Sequence, residues 1–244
     1  MLAIKTENLR KEYKDVVAVD NLNLEIEEGE LFALLGVNGA GKTTTIKMLS
    51  TLSKPTSGDA IVLGHSVLKD ADRIKELIDI SMQETAIARK LSVEENVEFY
   101  ARLSGQTKEE IAETKEYVFK VFGFDSVAKK RAAKLSGGWQ RKLSIALALV
   151  SNPKILFLDE PTLGLDVLAR RELWKTIESL KGKMTIILTT HYMEEAEALA
   201  DRIGIMKDGK LLFVGTKDAL FEKTGKDNVE NAFVELVSGG DLNA

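Results

Sequence analysis

The chain has 244 residues, 44% of them apolar, enough for one large core or two small ones. Lys and Arg number 34 against 38 Asp and Glu, and the net charge of −4 argues against a polyanion-binding protein. Cysteine is absent, which excludes a disulfide frame, a thiolate nucleophile and a cysteine-held metal.

The N-terminus is charged and lacks the apolar stretch of a secretion signal. The longest apolar runs, such as 145–150, fall far below the roughly 18 residues that cross a bilayer. The chain is expected to be soluble and cytosolic, and able to dock on something embedded in a membrane. Leu2, Ile4 and Thr6 alternate with polar residues, as do Leu22, Leu24 and Ile26. Both stretches are expected to form half-buried antiparallel strands, the second ended by Glu28-Gly29.

Leu31-Phe32-Ala33-Leu34-Leu35 reads as a buried strand. It leads into Gly36-Val37-Asn38-Gly39-Ala40-Gly41-Lys42-Thr43, which fits G-x-x-x-x-G-K-[ST]. Thr44-Thr45-Ile46-Lys47-Met48-Leu49 then starts a helix. Glycines tolerate positive φ and carry no Cβ, so such a backbone wraps closely around an anion. The turn aims several N–H groups and the positive end of the helix dipole at one point. Lys42 is expected to reach the β- and γ-phosphates and the Thr43 hydroxyl to hold Mg²⁺. The plain alternative is an ordinary glycine-rich turn, but the strand before and helix after favour a nucleoside triphosphate site.

Ile61-Val62-Leu63 follows a Ser57-Gly58-Asp59 turn and is expected to join the antiparallel sheet. From about 91 to 150 helical periodicity replaces strand signals, with helices expected at 92–103, 107–122 and 137–151. This stretch reads as an α-helical insert in an α/β core. Within it, Leu135-Ser136-Gly137-Gly138-Trp139-Gln140 opens a helix carrying Leu143, Leu147 and Val150 on one face. Ser136 is expected to cap that helix, and two glycines let a phosphate approach its free N–H groups. Taken alone, Ser-Gly-Gly is usually a loop before a helix.

Ile155-Leu156-Phe157-Leu158 and Met184-Thr185-Ile186-Ile187-Leu188 suit strands covered on both faces of a parallel sheet. Leu173, Trp174, Ile177 and Leu180 supply the crossover helix between them. The carboxyl end of a parallel strand opens onto the ligand crevice. Asp159 is therefore expected near the phosphate loop, holding Mg²⁺ through its water shell, with Glu160 free to orient or deprotonate the attacking water. Two solvated acids ending a strand are the plain alternative. Further on, 203–206 and 211–214 flank Lys207-Asp208-Gly209-Lys210, a hairpin with Asp-Gly at its tip. The tail from Asp227 carries one short amphipathic helix (Val229, Ala232, Phe233, Leu236) and a Gly-Gly ending expected to fray.

Leu-Ser-Gly-Gly ahead of an amphipathic helix, between these two phosphate-binding segments, resembles the signature of ABC-family ATPases. The resemblance spans about residues 2–216 and is strongest to the free-standing ATPase subunits of ABC-2-type exporters. It rests on the 202–216 stretch and on the absence of the long C-terminal regulatory domain of sugar importers. It implies an α/β P-loop NTPase core with a mostly parallel sheet, an N-terminal antiparallel β-subdomain and an inserted α-helical subdomain. The boundaries expected are an ATPase domain at 1–216, with core 1–83 and 152–216 and insert 84–151, and a helical tail at 217–244. By the same resemblance, Tyr13 stacks on adenine and Gln83 touches Mg²⁺ and senses the transport partner. Leu163-Gly164-Leu165-Asp166 crosses to the partner's site, and His191 bonds the γ-phosphate and positions the water. Ser136, Gly137 and Gly138 become γ-phosphate donors. Where the family commonly has Gln, this chain has Trp139, whose plain role is to pack the insert. Unaided, Tyr13 reads as a core tyrosine, Gln83 as surface and His191 as structural.

The family implies ATP and Mg²⁺ as cofactors and two nucleotides sandwiched in a head-to-tail pair of ATPase subunits, identical or similar. It further implies separate transmembrane subunits, with the chain peripheral on the cytoplasmic face of the cell membrane. A soluble ABC-type ATPase acting on nucleic acid or ribosomes is the first alternative. One cassette, no long coiled coil and an acidic charge weigh against it, so no nucleic-acid partner is expected. A small-molecule kinase is the second, opposed by the 135–140 segment and the Asp159-Glu160 pair.

Overall fold

The computed structural model describes residues 1–238, so the expected Gly-Gly ending lies outside the described residues. Two sheets form. The first is antiparallel, built from β1 (Leu2–Tyr13), β2 (Val16–Leu22), β3 (Glu25–Glu27), β5 (Ser57–Val62) and β6 (His65–Ser66). Its order is β2-β1-β5-β6, with β3 also pairing β1. The second contains β4 (Leu31–Leu35), β7 (Ile78–Ser81), β8 (Ile155–Asp159), β9 (Thr185–Thr190), β10 (Arg202–Lys207) and β11 (Lys210–Gly215). Its order is β11-β10-β4-β9-β8-β7, parallel throughout except for the β10–β11 hairpin. Asp208 and Gly209 both take positive φ, as a tight two-residue hairpin turn requires.

The continuous apolar runs are buried on both faces, for a visible reason. Phe32, Leu34, Phe157 and Ile187 point into a core shared with the antiparallel sheet. Leu31, Ala33, Leu35, Leu156, Leu158 and Leu188 point into a second core shared with the helices. The helices are α1 (Lys42–Leu49), α2 (Ala71–Lys75), α3 (Val93–Leu103), α4 (Lys108–Phe122), α5 (Gly137–Leu149), α6 (Val167–Glu178), α7 (Met193–Leu199), α8 (Lys217–Thr224) and α9 (Val229–Ser238). Ser92 and Thr107 start α3 and α4 through capping boxes with Glu95 and Glu110, which is why both helices begin where the sequence expects. Helix α5 ends at Leu149, two residues before the expected boundary.

Four expectations are corrected. Leu2 is exposed, because a register irregularity between Leu2 and Ile4 breaks the alternation and leaves Ala3 and Ile4 both buried. Leu22, Leu24 and Ile26 do not share one strand: Asn21 takes positive φ, and the chain breaks between β2 and β3. The Ser57-Gly58-Asp59 segment is strand rather than turn. Gly58, at φ +74°, lies so close to Asn8 that a Cβ would meet its carbonyl oxygen at 2.2 Å. Ser136 stands at the N-cap position of α5, but its side chain takes no hydrogen bond from the helix.

Candidate active site

Strand register builds the site. Leu35 pairs with Thr190, Asp159 with Thr189, and Ser81 with Leu158, so β4, β9, β8 and β7 end in one row. Their next residues are Gly36, His191, Glu160 and Met82-Gln83, delivered to a single edge. There an open cleft of about 490 Å³ is lined by Tyr13, Ala18, 38–44, Gln83, Glu160, Leu163 and His191.

The turn after β4 requires its glycines. Gly41 stands at φ +104°, and a Cβ there would meet the Ala18 carbonyl at 2.4 Å. Gly36 lies against the Met206 carbonyl, 2.7 Å from where its Cβ would be. The hairpin tip supports the turn, since the Gly209 N–H donates to the Ala40 carbonyl at 3.1 Å. Lys42 is buried within the turn. Its Nζ donates to the carbonyls of Gly36 (2.7 Å) and Val37 (3.2 Å) and lies 3.6 Å from Glu160 Oε1. Burial lowers the Lys42 pKa, and the charges of Glu160 and Asp159 oppose that shift.

Asp159 is fully buried. Its Oδ1 accepts from Thr43 Oγ1 at 3.1 Å and from Thr189 Oγ1 at 2.6 Å, while Oδ2 has no partner among the described residues. A buried carboxylate oxygen without a donor is costly unless a cation answers it. The Thr43 hydroxyl and the free Asp159 oxygen are hard oxygen donors of the kind magnesium takes, and Gln83 lines the same cleft. No cluster of three or more His, Cys, Asp or Glu able to hold a metal occurs among the described residues.

Glu160 takes φ +46°, a left-handed conformation unusual for a non-glycine residue and typical of functional sites. Its N–H donates to the Thr189 carbonyl and hydroxyl, both at 3.1 Å, which holds the strained backbone. Its carboxylate lies 3.3 Å from His191 Nδ1. Tyr13 is exposed at the cleft mouth, with Lys11 Nζ 4.8 Å above its ring.

Thus Tyr13, Asn38, Gly39, Ala40, Gly41, Lys42, Thr43, Thr44, Gln83, Glu160 and His191 line one cleft. Gly36, Val37 and Asp159 contact Lys42 or Thr43 directly. Ser136, Gly137, Gly138 and Asp166 are outside that lining. Asp166 caps α6, accepting from the Leu168 and Ala169 N–H groups, and Ala169 is also the neighbour that a Cβ on Gly138 would meet at 3.2 Å. The tips of α5 and α6 therefore share a surface, with Ser136, Gly137, Val167 and Leu168 exposed. Trp139 packs near Phe124 on the insert's core and does not line the cleft.

Sequence reasoning missed Ala18, Thr189 and Arg141. The first two carry no local signal. Arg141 does: it shares the buried face of α5 with Ser144, Ile145 and Ala148, where a cation is out of place.

A family model described as "ABC transporter" matches residues 19–163. The chain belongs to that family. It carries the family's ATP-binding ATPase domain. The chain is 37% identical over 243 residues to "Daunorubicin resistance ATP-binding protein DrrA3" of Streptomyces coeruleorubidus, covering 99% of this chain and 76% of that one. It is 41% identical over 226 residues to human "Phospholipid-transporting ATPase ABCA3", covering 91% of this chain but 13% of that protein. The chain thus spans a small part of several of the longer relatives it matches. Among solved structures, a "post-hydrolysis state of the ATP-binding cassette MJ0796 bound to ADP and Pi", described as dimeric, superposes with a TM-score of 0.78. It is 28% identical, with 87% of this chain and 98% of that one covered.

Proposed function

We propose that this chain is the ATP-hydrolysing subunit of a membrane exporter, working as a head-to-tail pair. The observation that carries this is a division of labour. The phosphate turn, Glu160 and His191 line one cleft with Asp159 buried behind Thr43, while the 136–138 tip lies outside it without a side-chain cap, Ser136 and Gly137 exposed. A tip with open N–H groups seeks an anion, and ATP held in a second chain supplies one. Tyr13 stacks on the base, and residues 36–44 cradle the phosphates. Thr43, Gln83 and Asp159 would hold magnesium, which supplies neutralising charge to the phosphate oxygens.

Glu160 takes the proton of the attacking water, and its strained backbone aims the carboxylate into the cleft. Water oxygen bonds to the γ-phosphorus as the bond to the β-bridging oxygen breaks. His191 holds a γ-phosphate oxygen and keeps the water in line. Ser136, Gly137 and Gly138 of the partner donate to that same phosphate, and Asp166 holds the neighbouring loop at the shared surface. Once the phosphate leaves, the two chains lose their common anion and separate.

The relatives named for daunorubicin resistance and phospholipid transport support the exporter reading. Among the described residues no helix is long and apolar enough to cross a membrane, so transmembrane subunits are assigned to other polypeptide segments, docked near Gln83 and the insert. The chain sits on the cytoplasmic membrane face, with core 1–83 and 152–216, insert 84–151 and tail 217–244. Asp159→Asn tests the site: ATP binding is expected to persist while magnesium-dependent turnover is lost. An Asp159→Asn chain with the parental magnesium dependence overturns the assignment.

A further inference from the structure

We infer that Arg141 is a positioning residue that ties the 136–138 tip to the catalytic edge, so that seating the tip on nucleotide sets Gln83 and Glu160 in place. The inference rests on the head-to-tail reading above.

Arg141 lies in the second turn of α5 and is only 4% exposed. Its Nε donates to the Pro161 carbonyl at 2.8 Å and its Nη2 to the Asp159 carbonyl at 2.8 Å. Nη1 donates to the Met82 carbonyl and, at 3.1 Å, to that of Gln83. All four acceptors are backbone oxygens, on two segments far apart in sequence: 82–83 at the exit of β7, and 159–161 where β8 runs into the loop leading to α6. A guanidinium is planar with donors at fixed angles, so these segments cannot shift independently while it holds them.

The acids acting on it through space are Asp159, Glu195 and Glu160. Burial outweighs them and holds its pKa down to about 10, which leaves it cationic at neutral pH. A buried cation without a carboxylate hydrogen bond is a poor source of stability, whereas it is an effective spacer. Ser136 and Arg141 ride on one helix, roughly 7 Å apart along its axis at about 1.5 Å per residue. Movement of the tip therefore carries the Gln83 carbonyl and the Asp159 carbonyl with it. Glu160 follows Asp159 directly, and its side chain is aimed by that backbone.

Arg141→Lys keeps the charge but cannot hold all four carbonyls across the two segments. Turnover is measured in the assembly that supports it for the parental chain. ATP binding and ATP-driven dimerisation are measured in a Glu160→Gln background. The expected result is a kcat lowered roughly a hundredfold, the effect of about 1 Å of catalytic misplacement. KM, ATP affinity and dimerisation should stay within about threefold, since the Arg141 guanidinium touches none of residues 36–44 or 136–138 and meets Gln83 and Asp159 only at their backbone carbonyls. Arg141→Gln, neutral with two donors on one amide, should lose kcat in the same way and serves if the lysine variant unfolds. A kcat within about fivefold of parental overturns the inference, as does a loss of ATP binding and melting temperature in step with kcat. A Glu160→Gln chain that binds ATP but never dimerises overturns the head-to-tail reading and the inference with it.

Discussion

Replacing Glu160 by Gln preserves side-chain volume, the left-handed backbone and both hydrogen bonds from its N–H to Thr189. It removes one charge. That charge lies 3.6 Å from Lys42 Nζ and 3.3 Å from His191 Nδ1, with the glutamate side chain 11% exposed and the lysine 5%. At an effective dielectric of about 20, unit charges about 4 Å apart interact by about 4 kcal/mol. The substitution thus leaves Lys42 answered mainly by incoming phosphate and removes an anion that repels it, so ATP binds more tightly. Loss of a general base lowers the chemical step roughly 10²- to 10⁴-fold, or about 3 to 5.5 kcal/mol of barrier. Single-turnover phosphate release and equilibrium ATP binding read the two effects separately. Hydrolysis within about tenfold of parental, or weaker ATP binding, refutes the reasoning.

Gly41→Ala places a Cβ 2.4 Å from the Ala18 carbonyl at φ +104°. The backbone conformation alone costs about 1–2 kcal/mol, so a lower melting temperature and weakened ATP binding are expected together. A Cβ on Gly137 meets nothing within 4 Å, and the carboxylate of Gly137→Asp in the first turn of α5 favours the helix. Its melting temperature should hold and monomeric ATP binding persist, while repulsion of the partner's phosphate abolishes ATP-driven dimerisation, read by light scattering. Glu195 is fully buried, accepts from Trp174 Nε1 at 3.0 Å, and has its pKa raised by burial. The folded chain therefore keeps a proton that the unfolded chain releases, and stability from this group falls as pH rises above the ordinary value of 4.5. Glu195→Gln should flatten the melting temperature against pH above that point, and an unchanged slope would contradict this.

What the sequence makes legible is local. The turn at 36–43 can be read because its glycines, lysine and threonine are fixed by one anion and flanked by a strand and a helix. The buried strands announce themselves as apolar runs, and helical periodicity places the helices that start at Ser92 and Thr107. What escapes is set by distant partners. Strand β2 and the break at Asn21 depend on irregular pairing with β1. The exposed Leu2 follows from a bulge. The left-handed Glu160 exists because Thr189 on the next strand holds it. Arg141 gains its meaning only when residues 82–83 and 159–161, far apart in sequence, meet around one guanidinium.

The central claim is that the glycine cradle of one chain faces the 136–138 tip of another. The sequence has no cysteine, so cross-linking has no background. Mixing an Asn38→Cys chain with a Gly137→Cys chain under oxidising conditions should give a covalent pair that forms with ATP and not without it. Cross-links forming only between identical positions, or equally well without nucleotide, would contradict the account.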